Sequence, residues 1–138
     1  MAHALWGYDG PCKNIHGHSY YLYVTIIGEI LQDDNSPKNG MVMDFGELKS
    51  IVKSEIVDEL DHALAIYDKT PKHIVDSLKP TFNLVLTPYQ PTCENLINDF
   101  AMRLKTKFSP HIKLFGLKLC ETVTSFAEWY AEDYPVGK

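Results

Sequence analysis

His16-Gly17-His18-Ser19-Tyr20-Tyr21-Leu22-Tyr23-Val24-Thr25-Ile26-Ile27-Gly28-Glu29-Ile30 is the stretch whose reading decides the architecture. From Ser19 to Ile30 it consists almost wholly of Tyr, Leu, Val, Thr and Ile, residues suited to a pleated, half-buried surface. It therefore predicts a strand, with Gly28 marking a bulge or bend. Two histidines stand at its entrance. Side chains alternate with period two along a strand, so both imidazoles project from one face, a geometry suited to two ligands of one ion.

Working outward, Leu31 to Gly40 is polar and holds Asp33, Asp34, Asn35, Ser36 and Pro37, which predicts a hairpin loop before an extended Met41 to Met43. Asp44, with Glu47 three residues on, predicts a helix start; Leu48, Ile51, Val52, Ile56 and Leu60 recur behind it at helical spacing. Thr92 after Pro91 opens a second helix whose apolar face is Leu96, Ile97, Phe100, Ala101 and Leu104. Between the helices, Ala63 to Gln90 reads as a short helix near His73 to Leu78 and an extended piece at Phe82 to Leu86. The tail returns to strand at Ile112 to Thr122, with Phe115, Leu117 and Leu119 on one face, and at Ser125 to Ala131. The order is β, α, a variable stretch, α, β, β. No repeat or linker divides the chain, so residues 1–138 are expected to form one α+β domain.

At 138 residues and 15.7 kDa the chain is long enough to bury a real core without disulfides or a structural metal, so any metal is more readily functional. The formal net charge is −5, and Lys49, Lys53, Lys69, Lys72 and Lys79 alternate with acids. Nucleic acid, which demands a basic stripe, is excluded as a partner. The three cysteines, Cys12, Cys93 and Cys120, follow no disulfide framework, and no apolar stretch is long enough for a membrane span or a signal sequence. The chain reads as cytoplasmic, with reduced thiols and no membrane partner.

His3, on the short segment Met1 to Leu5, completes a possible trio with His16 and His18. Three neutral imidazoles leave a zinc ion one open position, the mark of a catalytic site. The bland reading is a turn in which one histidine caps a carbonyl. Cys12, four residues before His16, lies near such an ion without being needed to fill its shell; it reads equally as a fourth ligand or a small buried hydrophobe. Asp61-His62 at the end of the first helix reads as a proton carrier or as ordinary structural neighbours. Glu121, closing an apolar strand, is either a buried charge that needs a partner or a surface carboxylate.

Ala2-His3, Cys12-Lys-Asn-Ile-His16-Gly17-His18, Gly40-Met-Val-Met-Asp44-Phe45, Leu60-Asp61-His62, Pro91-Thr92-Cys-Glu94-Asn95 and Glu121-Thr122, in that order, resemble the 6-pyruvoyl-tetrahydropterin synthase and 6-carboxytetrahydropterin synthase family. The resemblance implies a tunnelling fold: a four-stranded antiparallel sheet with two helices packed on one face. It implies zinc (Zn2+) on His3, His16 and His18, Cys12 as the proton-abstracting base, Asp61 and His62 as the rest of a proton relay, and Glu121 anchoring a pterin with Thr92 nearby. It implies 7,8-dihydroneopterin triphosphate as substrate, and a homohexamer, a dimer of trimers, with sites between subunits.

The four-residue step from Cys12 to His16 looks like the carboxypterin synthases of queuosine biosynthesis; the pyruvoyl synthases more often have a longer gap. A pyruvoyl product and a non-catalytic zinc- or pterin-binding module remain the alternatives. Two features depart from the family: only Met1 and Ala2 precede the first histidine, and residues 63–90 are longer than in compact members. A cupin-like site would want a glutamate where Tyr21 or Leu22 stands, and a zinc deaminase would need a Cys-x-x-Cys pair.

Overall fold

The computed structural model describes residues 1–133. Among these residues, seven strands form two sheets rather than one. Strands β1 (Ala2–Ala4), β2 (His16–Gly17), β4 (Leu64–Tyr67) and β5 (Leu84–Thr87) make a mixed sheet in the order β2-β1-β4-β5. Strands β3 (Tyr21–Gly28), β6 (Ile112–Cys120) and β7 (Phe126–Tyr130) make an antiparallel sheet in the order β3-β6-β7. The expected single four-stranded antiparallel sheet is thereby corrected. Residues 63–90 are the reason: they supply β4, helix α3 (Lys72–Leu78) and β5, a parallel pair joined by a helical crossover, and β4 pairs in parallel with β1.

The strand predicted over Ser19 to Ile30 stands as β3, but the histidines at its entrance belong to the other sheet. His16 and Gly17 pair with β1, and the chain then passes through residues 18–20 into β3 of the other sheet. Within β3 the alternation is clean: Leu22, Val24 and Ile26 lean inward while Tyr21, Tyr23 and Ile27 face out. Gly28 ends the strand where the backbone is crowded. A Cβ there would lie 2.9 Å from both the His111 carbonyl oxygen and Val42 Cγ1. Val42 thus packs on a missing side chain, and Val42 and Met43 form bends rather than the expected extended course. The polar loop before them closes on itself, with Leu31 N–H donating to Met41 O at 2.9 Å and Gly40 N–H to Leu31 O at 2.8 Å.

Asp44 caps helix α1 (Phe45–Val52) by accepting from Gly46 N–H. The helical run continues through a π turn at Lys53–Val57 into α2 (Asp58–Leu60), and this turn carries Ile56 and Leu60 into the core. Thr92 caps helix α4 (Cys93–Leu104), whose predicted apolar face is buried against β6 and β7. Arg103 links the two helical segments, its Nε 2.8 Å from Asp99 and its guanidinium also bound to Glu59. In β6 the inward residues are Leu114, Leu117 and Leu119, not Phe115. Thr25 faces Gly116 and Ile26 faces Leu114, so Phe115 is the extra residue of a bulge, which shifts the facing by one position. Among the described residues no helix is long and apolar enough to cross a membrane.

Leu104 is fully buried in the cluster that joins α4 to the antiparallel sheet. Leu104→Ala should cost about 3 kcal/mol, the scale of a core leucine truncation that leaves a cavity. Urea unfolding monitored by circular dichroism measures it.

Candidate active site

The short strand β1 places the first of the three histidines. His3 faces His16 across the β1–β2 pairing, and His18 N–H donates to Met1 O at 3.1 Å, which extends the same antiparallel ladder by one residue. His16 and His18 therefore share a face, as their spacing predicts, and His3 joins them as the cross-strand neighbour of His16. Ring centroids lie 4.5 Å (His3 and His16), 5.3 Å (His3 and His18) and 4.9 Å (His16 and His18) apart. One ligand atom from each ring lies within 4.8 Å of the others.

Backbone carbonyls fix which nitrogen is free. His3 Nδ1 is 2.7 Å from Pro91 O, and His16 Nδ1 is 2.8 Å from Asn14 O. A carbonyl only accepts, so each Nδ1 must carry the hydrogen, and in a neutral ring each Nε2 is then a bare lone pair. Those two Nε2 atoms face each other at 3.1 Å. Glu121 Oε1, another acceptor, lies 3.3 Å from His3 Nε2 and 3.7 Å from His18 Nε2. So many acceptors around one point repel unless a proton or a cation lies among them. Burial pushes the His3 pKa below its ordinary value, opposed by the Pro91 hydrogen bond and the Glu121 charge, so a proton is disfavoured.

A metal cation fits. The edge of a zinc tetrahedron with bonds of about 2.0 Å is about 3.3 Å, close to the observed nitrogen separation. The two carbonyls hold the rings as outer-shell acceptors do in zinc sites.

The other predicted residues divide between two hollows. A cleft of about 470 Å³ is lined by His3, Cys12, Thr92, Cys93, Glu121 and Ser125, among others. Cys12 stands in a 3-10 turn (Pro11–Lys13), and its carbonyl accepts from Leu5 N–H at 3.0 Å. Thr92 accepts from Asn95 N–H as the helix cap. Glu121 is partly buried and accepts from the Tyr20 hydroxyl at 2.8 Å. Asp61 and His62 line a separate hollow of about 850 Å³ together with His18. Both are largely exposed, and His62 Nε2 is 3.8 Å from Asp61 Oδ1. His62 has φ of 58°, the left-handed conformation that ends a helix. His3 thus shares the cleft of Cys12, Thr92 and Glu121, while His18 shares the second hollow with Asp61 and His62.

Sequence reasoning missed the carbonyls of Asn14 and Pro91, and also Tyr20 and Cys93. Pro91 lies 88 residues from His3 and contributes only backbone, so no side-chain pattern signals it. Tyr20 was within reach, since it precedes a strand whose partner ends just before Glu121.

A family model described as 6-pyruvoyl tetrahydropterin synthase matches residues 1–132. The 6-carboxy-5,6,7,8-tetrahydropterin synthase of Haemophilus influenzae is 39% identical over 136 residues, covering 94% of this chain and 91% of that protein. The 6-pyruvoyl tetrahydrobiopterin synthase of Dictyostelium discoideum is 33% identical, covering 89% of this chain and 76% of that protein. Among solved structures, 6-pyruvoyl tetrahydropterin synthase of Caenorhabditis elegans matches with a TM-score of 0.62 at 27% identity, covering 94% of this chain and 86% of that one.

Burial pushes the Cys93 thiol up to about 11, and the thiol donates to Leu119 O at 3.2 Å. Iodoacetamide at pH 7.5 should therefore label Cys12 and Cys120, both partly exposed, while leaving Cys93 unmodified in the folded protein. Peptide mass spectrometry reads the pattern.

Proposed function

Because the chain belongs to the 6-pyruvoyl tetrahydropterin synthase family, we propose that it is a zinc-dependent 6-carboxy-5,6,7,8-tetrahydropterin synthase acting on 7,8-dihydroneopterin triphosphate. The observation that carries this reading is the convergence of three imidazoles beside a cleft that holds a thiol and a tethered carboxylate. The choice of the carboxy product is supported by the Haemophilus influenzae relative and by the four-residue step from Cys12 to His16. On this reading the enzyme supplies a queuosine precursor and works in the cytoplasm.

His3, His16 and His18 would hold the zinc ion, which would supply a Lewis acid for the hydroxyls of the substrate side chain. Glu121 accepts hydrogen bonds from the ring N–H and amino group of the pterin, which orients the side chain toward the histidines. Thr92 lines the same cleft. Cys12 serves as the base that removes a proton from side-chain carbon. Asp61 and His62 serve as the second half of the proton relay. Their position on a different hollow from Cys12 supports sites completed between subunits of a homohexamer, a dimer of trimers, in which one chain's relay pair faces another chain's thiol.

Incubating the zinc-loaded protein with dihydroneopterin triphosphate should yield carboxytetrahydropterin by mass. A pyruvoyl pterin would assign the chain to the other branch of the family, and unchanged substrate would make it a binding module. Cys12→Ala should keep its zinc and lose turnover by about a hundredfold or more. His18→Ala should lose metal and activity together, as measured by elemental analysis beside the assay.

A further inference from the structure

Tyr20 stands one step beyond the β3–β6 ladder. Tyr21 pairs with Cys120, so the next cross-strand neighbours are Tyr20 and Glu121. Tyr20 shares the inward side of the strand with Leu22 and Val24 and packs on the main core. Its ring is edge-on to His3 at 6.1 Å and to His18 at 5.7 Å. Its hydroxyl donates to Glu121 Oε1 at 2.8 Å, and that same oxygen is the one 3.3 Å from His3 Nε2. The backbone of Glu121 is held independently, its N–H donating to Ser125 O at 3.0 Å in the turn before β7.

These contacts give the carboxylate a problem and a solution. A carboxylate on a flexible side chain turns freely unless something holds it. The Tyr20 hydroxyl on Oε1 and the backbone hydrogen bond to Ser125 restrain Glu121 at both ends of its side chain. Each carboxylate oxygen accepts more than one hydrogen bond, so Oε1 and Oε2 both keep capacity for a ligand in the cleft.

We propose that Tyr20 is a positioning residue for Glu121: its hydroxyl fixes one carboxylate oxygen beside the histidines, so that the carboxylate is oriented in advance for the paired N–H groups of a pterin. A planar pair of donors on the ligand needs a carboxylate whose plane is already set, because a freely rotating one loses entropy on binding. The proposal rests on the reading of Glu121 as the pterin anchor.

The test uses free pterin, followed by its own fluorescence, with Tyr20→Phe, Glu121→Gln and the double variant, each in zinc-loaded and metal-free form. Tyr20→Phe keeps the ring and removes only the hydroxyl. It should retain zinc at the wild-type stoichiometry and bind pterin about tenfold more weakly in both forms, the scale of one hydrogen bond to a charged group. The double variant should bind no more weakly than Glu121→Gln alone, since the hydroxyl acts through the carboxylate.

Wild-type affinity in Tyr20→Phe beside weakened binding in Glu121→Gln would overturn the role of Tyr20 and leave the anchor standing. Wild-type affinity in Glu121→Gln would overturn the anchor, and this proposal with it. Additive losses in the double variant, or zinc lost from Tyr20→Phe, would show Tyr20 acting on the ligand or the metal by itself, and would also overturn it.

Discussion

Two backbone carbonyls, those of Pro91 and Asn14, bind the Nδ1 hydrogens of His3 and His16 and thereby turn both Nε2 lone pairs toward one point. Without those hydrogen bonds each imidazole could flip or change tautomer, and the trio would be three neighbouring rings rather than a ligand set. With them, two bare nitrogens face each other at 3.1 Å with a carboxylate oxygen alongside. A group of acceptors this close is costly by itself and favourable around a cation. The energetic tension at this point is what suits the three histidines to a metal cation.

The two-sheet topology exists in the service of this arrangement. β1 is three residues long, too short to stand alone, but it is hydrogen-bonded on both sides, antiparallel to β2 and parallel to β4. That double pairing buries His3 to 2% exposure and sets its distance from His16. The chain then leaves the mixed sheet immediately after His18 and enters the antiparallel one, so Tyr20 and Glu121 arrive from the second sheet beside histidines supplied by the first. Pro91, which precedes helix α4, brings the third component, a carbonyl positioned by the helix that also carries Thr92 as its cap. The site lies where the two sheets and one helix start meet.

What could be read from the sequence follows the range of the forces involved. Asp44 and Thr92 announce their helices because capping is a contact over two or three residues, and both caps stand in the structure. His16 and His18 share a face because strand alternation is equally local. The parallel pairing of β4 with β1 was not legible, because Leu64 to Tyr67 meets a strand some sixty residues earlier and its apolar run fits a helix as well as a strand. The bulge at Phe115 was hidden for a similar reason: it depends on register with β3, and one added residue moved Leu114 into the core in its place. The family resemblance supplied the roles proposed for Cys12, Asp61, His62 and Glu121, which spacing left open. It did not supply the split into two sheets, nor the tether from Tyr20.

X-ray absorption at the zinc K edge, recorded on the zinc-loaded protein without substrate, reads the ligand set directly. Three imidazole nitrogens at about 2.0 Å with a light oxygen neighbour and no sulfur is the result predicted for a trio that keeps one position open. A sulfur scatterer at about 2.3 Å would put a thiolate on the ion, fill the position intended for substrate, and contradict it.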